Sequence, residues 1–513
     1  MKDRPAAQPD ANPSAQAIAV ATGLHIYPLS VQPCCDGVVF LARRAGALTL
    51  GFCGPCALPE GLSLTENGSV TLGRPCRIWL GAASHANALA VRRLLAWAAP
   101  VTAGLRLSAG LGDRLGVATP GHIRAIREVG GFFPIYAQQS IREMERTQRT
   151  PEQVLDDAMW GVLQEGWTEG YGADADHLKT TADIDACVAA GFGFYTLDPR
   201  EHVDAAADTD DLSSLAAKFA TLPWDGLEST PADFERLYVG QTVCINQDLT
   251  LTIDREQALR AACKYGRAVA HLMTLSRHLA TAMGDRPYDL EISVDETDSP
   301  TTAQEHYYIA SELKRLGVRW ASLAPRYVGR FEKGVDYIGD LGEFEREFAK
   351  HAAIARALGP YKLSLHSGSD KFSVYPIAAR HAGTLIHLKT AGTSYLEALR
   401  AVAQVQPELF REVLAFAVAH YDTERASYHV SAEMARVPDS HTLPDAALPS
   451  LLESFDARQA LHVTFGLVLT SRDEDGHYLF RDRIYAVLQA NEEAHYQALC
   501  RHFVRHLAPF IGA

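Results

Sequence analysis

A chain of 513 residues with 47 % hydrophobic and 21 % charged residues has the ordinary make-up of a globular protein and room for a barrel-sized domain with additions. Its formal net charge of -14 argues against nucleic acid or an anionic membrane surface as the main partner, so an anionic small substrate needs a locally basic pocket. No run approaches the roughly 20 apolar residues that span a bilayer, and nine scattered cysteines suit a reducing compartment, which together predict a cytoplasmic protein without a membrane partner.

In chain order, residues 1–17 (MKDRPAAQPDANPSAQA) are rich in Pro, Ala and polar residues and read as a disordered terminus. Residues 18–103 read as a β-rich region of short apolar runs, with an Asn-Gly turn signal in LSLTENGSVTLG, followed by an Ala/Leu/Arg helix. Cys53-Gly-Pro-Cys56 has dithiol spacing, but ALPEG follows it instead of the helix that lowers a thiol pKa. From about 104 to 404, strand-like and helical runs alternate eight times, the pattern of a (β/α)8 TIM-type barrel. Residues 200–286 interrupt that rhythm and read as an insertion on the fourth loop, and residues 405–513 read as a helical C-terminal extension.

The seventh and eighth units, Tyr361 to Tyr395, each end a strand on a histidine, His366 and His387. Catalytic residues of such barrels sit at the C-terminal strand ends. Those ends carry Asp174, Asp176, His177 and Lys179 in unit 3, Asp198 in unit 4, and Asp295, Glu296 and Asp298 in unit 5. They carry Arg326 in unit 6, His366, Asp370 and Lys371 in unit 7, and His387 and Lys389 in unit 8. Imidazoles converging from three units suit a divalent metal without selecting Zn, Mn, Ni, Co or Fe. Structural alternatives exist for each group. Asp174 and Asp176 could cap the next helix at Thr180 or Thr181, Asp295 and Glu296 could open a loop, and the turn after His366 could hold a phosphate.

Five strings, Ala173–Thr180 (ADADHLKT), Ile292–Thr297 (ISVDET), Leu323–Tyr327 (LAPRY), Leu365–Phe372 (LHSGSDKF) and His387–Thr393 (HLKTAGT), resemble the tagaturonate/fructuronate epimerases, which interconvert two 2-keto hexuronates differing at C4. The resemblance implies a metal-dependent epimerase without nicotinamide, and the chain lacks a G-x-G-x-x-G strand-helix fingerprint. C4 is β to the ketone, so a retro-aldol/aldol route with two acid/base groups explains the residue types. The assignment is His177, His366 and His387 on the metal, Asp176 and Glu296 as acid/base pair with Asp295 as rival of Glu296 or as a fourth metal ligand, and Arg326, Lys371 and Lys389 on the substrate carboxylate. The uncharged pair tagatose and fructose is a second candidate substrate. The alternatives are a metal-dependent aldolase or other ketose isomerase, and a non-catalytic sugar-acid sensor. The sequence leaves the oligomeric state open, with a homo-oligomer compatible.

Overall fold

Eight parallel strands close into a barrel in a computed structural model that describes residues 12–512. The strands are Ser108–Gly110, Phe133–Ser140, Gly172–Leu178, Phe194–Leu197, Asp289–Ser293, Ser322–Ala324, Lys362–Leu365 and Ile386–Lys389, each paired with its sequence neighbours. Closure is made where His387 pairs with Ser108 and Lys389 with Gly110. All eight expected units are present, because every strand is a short apolar or alternating run followed by a helix long enough to cross back.

The interruption after the fourth strand is only partly an insertion. Residues 200–254 supply two short helices and a hairpin, Gln241–Cys244 with Thr250–Ile253. The 29-residue helix Arg255–Met283 instead packs between Thr181–Ala190 and Ala303–Arg315, which makes it the outer helix of the fourth unit.

The N-terminal region forms a six-stranded antiparallel sheet. One face packs Leu41, Leu50, Phe52 and Trp79 on Met159, Trp160 and Leu163 of the barrel helix Pro151–Gln164. The other face is covered by helix Pro13–Thr22 through Ala15 and Ile18. Residues 1–11 of the terminus expected to be disordered lie outside the described residues. The rest of that expectation is corrected by this helix: the Asn12 side chain accepts from the Ser14 N–H, a proline occupies the first turn, and Ile18 is fully buried. Asn67-Gly68 is not a hairpin turn either. It sits inside strand Thr65–Thr71 as a register shift against Pro75–Ala82, Gly68 having a φ of 147°, and the chain reverses instead between Thr71 and Pro75.

The helical C-terminal region does more than flank the barrel. Tyr496, Leu499, Phe503 and Leu507 of the last helix, Glu492–Leu507, belong to the same buried cluster as the barrel strands. The helix lies against Thr119–Val129 of the first unit, where Phe503 meets His122 with ring centroids 4.6 Å apart, and its end reaches Tyr375 of the seventh unit. A Cβ at Gly121 would come within 2.6 Å of Leu499, so this close approach requires glycine. Helix Thr393–Val405 packs against this last helix and also joins the helices of residues 407–490 in a second core. Among the described residues, no helix is long and apolar enough to cross a membrane.

Candidate active site

The interior of the barrel at its C-terminal end is charged. Lys389, 1 % exposed, places its Nζ 2.9 Å from Asp174 Oδ2, 2.8 Å from Asp176 Oδ1 and 2.9 Å from Glu291 Oε1, and donates to Thr196 Oγ1 at 2.7 Å. Burial works against the ammonium, but three carboxylates outweigh it and hold the lysine charged well above its usual range. One cation cannot neutralise three acids. Burial, opposed by Lys389 and reinforced by Asp176 and Glu291, pushes Asp174 up to about 7, which makes it the most readily protonated of the three acids.

Asp176 and His177 are sequence neighbours that serve one site because the third strand is irregular there. Its pairing with the fourth strand slips between Ala175–Tyr195 and Leu178–Leu197, and His177 adopts a φ of 53°. The bulge turns both side chains to the same point, overriding the strict alternation of a regular strand. His366 follows the seventh strand and meets His177 with ring centroids 4.3 Å apart. Its Nε2 lies 3.3 Å from Asp176 Oδ1, and its Nδ1 lies 3.4 Å from Glu291 and 3.7 Å from Asp295.

Ligand atoms of Asp176, His177 and His366 all lie within 4.8 Å of one another, a group able to hold a metal ion. His177 Nδ1 is held by Asp198 Oδ2 at 3.0 Å, which orients the ring and leaves Nε2 facing the site. Both ring nitrogens of His366 are buried without a hydrogen-bond partner of good geometry. Burial opposes charging His366, yet Asp295 and Asp176 hold its pKa well above the ordinary value. Asp176 is held far below the carboxylate range by Lys389, His366 and His177 against the effect of burial.

Glu296 stands on the other side of His177, its Oε1 3.8 Å from Nε2. Arg142 donates to one of its oxygens at 3.0 Å and Arg200 to the other at 2.9 Å. Although burial favours its neutral form, His177, Arg142 and Lys333 hold Glu296 ionised. Asp295 turns back toward His366 and accepts from Ser293 Oγ at 2.6 Å. The two acids at the fifth strand end therefore occupy different sides of the histidine pair.

His387 is not in the group. It pairs in register with Ser364, two residues before His366, so it lies one layer deeper in the barrel. Its Nδ1 shares a hydrogen bond with Ser108 Oγ at 2.9 Å, its ring meets Phe194, and burial drives its pKa well below the usual value. The Lys371 and Lys389 ammonium groups are also committed internally. Lys371 donates to the backbone carbonyls of Glu332, Val335 and Ser369 at 2.8, 2.6 and 2.8 Å, and burial pushes its pKa down to about 7. Neither has a free face for a substrate carboxylate. Arg326 does open on the cleft. Asp174 and Asp176 cap nothing, since helix Thr181–Ala190 is capped by Thr180 and Asp183.

Residues that sequence reasoning missed complete the site. Arg142 follows the second strand, where the Ser140/Glu143 capping box is a legible helix start at the C-terminal rim. Lys333, Tyr428 and His462 come from a loop and from the C-terminal region, for which no local pattern exists. A pocket is lined by Asp176, His177, His366, Arg142, Lys333 and Tyr428 among others. A neighbouring one contains Asp295, Glu296, Arg326 and Lys333.

The sequence profile of a family described as tagaturonate epimerase matches residues 27–510. The chain is 40 % identical over 485 residues to the tagaturonate/fructuronate epimerase of Thermotoga maritima, covering 94 % of this chain and 96 % of that protein. A glycerol-complexed crystal structure of the fructuronate-tagaturonate epimerase from Cohnella laeviribosi matches with a TM-score of 0.89 and 39 % identity, over 97 % of this chain and 99 % of that one. Its native crystal structure gives the same TM-score at 38 % identity, over 98 % and 99 %. With an eight-stranded barrel, a polar rim and a match along nearly its whole length, the chain belongs to the tagaturonate epimerase family.

Proposed function

We propose that this enzyme interconverts D-tagaturonate and D-fructuronate, epimers at C4 of a 2-keto hexuronate, with a divalent metal held by His177 and His366. The carrying observation is the convergence of two buried imidazoles and the Asp176 carboxylate within 4.8 Å at the C-terminal rim, flanked by Glu296. The residues fit a metal: His366 has two buried ring nitrogens without partners, and Asp198 presets the tautomer that leaves His177 Nε2 available. His387, whose Nδ1 bonds to Ser108 a layer below and whose Nε2 is likewise unpartnered, lies outside the 4.8 Å group and so outside this donor set. When bound, the metal supplies Lewis-acid stabilisation of negative charge on the ketose oxygens.

The chain's own residues carry the proton steps. Asp176, kept ionised by Lys389, takes the proton of the 4-hydroxyl. The oxygen's electron pair forms the aldehyde, the C3–C4 bond breaks, and its pair is delocalised over C3, C2 and the carbonyl oxygen. The aldehyde fragment presents its other face, the bond re-forms, and the proton held by Asp176 passes by way of Glu296 to the new 4-alkoxide on that side, where Arg142 and Arg200 fix the Glu296 carboxylate. Buried hydrogen-bonded walls hold the fragments together, which separates an epimerase from an aldolase.

Turnover in D2O followed by NMR tests the route. Retro-aldol epimerisation carries the original hydrogen on C4 into product, so product without deuterium at C4 supports it. Deuterium at C4 would show direct proton abstraction from carbon and overturn it.

A further inference from the structure

We infer that Arg326 and Lys333 form the subsite for the substrate's C6 carboxylate, so that the sugar acid lies with its ketone end at His366 and its acid end in the pocket beside Glu296. This assignment rests on the hexuronate reading above. The chamber holds both signs of charge, and the difference lies in which groups are already paired. Glu296 has Arg142 and Arg200. Glu332 accepts from Ser431 Oγ at 2.8 Å and Gln459 Nε2 at 2.9 Å, with Arg330 at 3.4 Å.

Among the described residues, no carboxylate lies within ion-pair distance of Arg326 or Lys333, and Lys333 acts on Glu296 only from farther away. The Nε of Arg326 is buried with no hydrogen-bond partner, a cost that an arriving anion removes. Lys333 Nζ is positioned by Ser367 Oγ at 3.0 Å, one residue from His366, which ties the anion site to the histidine pair. A guanidinium whose Nε is unpartnered and an ammonium lining the same pocket are suited to a planar carboxylate.

The other spaces at the rim are unsuited to an anion. The cleft beyond His177 is lined by Glu145, Asp183, Asp198 and Glu201 as well as Glu296, and its Lys179 is paired with Glu201 at 3.0 Å. In the pocket lined by Asp176, His177 and His366, Arg114 is taken by Glu143 and Lys371 by backbone carbonyls. Its Lys333, shared with the pocket beside Glu296, has Ser367 Oγ as its hydrogen-bond partner and no carboxylate within ion-pair distance.

The test compares a charged with an uncharged ligand on Arg326→Met and Lys333→Met, each checked for native circular dichroism. KM is measured for D-tagaturonate, and D-tagatose, which carries CH2OH in place of the carboxylate, is read as a substrate or a competitive inhibitor. The account predicts a KM for the acid raised roughly 10- to 100-fold in each variant, the loss of one charge-assisted hydrogen bond, with the tagatose constant moving less than about threefold. Arg326→Lys should recover part of the loss. Equal weakening of both ligands, or no change for the acid, would overturn the subsite. If the wild type converts no hexuronate, the functional reading fails first, and calorimetric binding of the same two ligands to the wild type and variants then decides the subsite separately.

Discussion

Lys389 Nζ and Asp176 Oδ1 are 2.8 Å apart in the barrel interior, with side-chain exposures of 1 % and 5 %. The same ammonium reaches Asp174 and Glu291, so one lysine carries the charge balance beneath the site. Removing one member of a buried ion network leaves the others uncompensated, at a cost of about 3–5 kcal/mol. Lys389→Met is therefore expected to lower the denaturant midpoint clearly as well as activity. A variant with wild-type stability and lost activity would show that Lys389 acts on substrate alone.

The donor set can be read without turnover. His177→Ala and His366→Ala are each expected to lose bound metal, measured as metal per chain by plasma mass spectrometry after dialysis. His387→Asn is expected to keep it, because that ring bonds to Ser108 one layer below. Metal loss from His387→Asn equal to that of His366→Ala would place His387 in the site after all.

Asp176→Asn separates holding from chemistry. It keeps the shape beside His366 and removes the base, so metal content is expected to stay near wild type while kcat falls by at least about 100-fold, the lower range for a general acid–base group. Retained turnover would move the base to Asp295 or Glu296.

Several buried histidines make stability fall in acid. Burial pushes His122 to about 3 and holds His351 and His495 at about 4. These rings are neutral in the fold and become charged on unfolding below about 6.5. Their contribution is complete above that pH and is lost as pH falls from 6.5 toward 4, at about 1.4 kcal/mol per pH unit for each ring. Urea midpoints at pH 7.5 and 5.5 check this. Equal midpoints would mean the rings take up protons within the fold.

The last helix is part of the barrel wall. A chain ending at residue 490 would strip Tyr496, Leu499, Phe503 and Leu507 from the main core and expose its apolar surface. It is expected to be recovered aggregated, in contrast to the full chain. A soluble truncated barrel with native circular dichroism would show that the helix is an accessory.

The eight strands and their rim were legible because each strand is a local pattern, and strand ends are where the residues of this site gather. Depth was not legible. Period-two alternation places His387 and Lys389 on one face but does not tell which layer each occupies, so it cannot separate His387 from the level of His366. The bulge at Asp176–His177 arises from pairing with the fourth strand, and the sequence of the third strand alone does not show it. The partners of Lys371 are backbone carbonyls of residues 332, 335 and 369, which composition cannot reveal. Lys333 and Tyr428 reach the cleft through long-range packing, as does the final helix against a unit some 370 residues earlier. Helix Pro13–Thr22 was hidden because its Ala-rich face has too little apolar contrast until the sheet is there to cover.

The most direct test of the central claim is NMR-monitored interconversion of D-tagaturonate and D-fructuronate by the purified protein, before and after EDTA and after adding back single metals. The account predicts conversion in both directions that disappears on chelation and returns with a divalent ion. Conversion that survives complete removal of metal would contradict it.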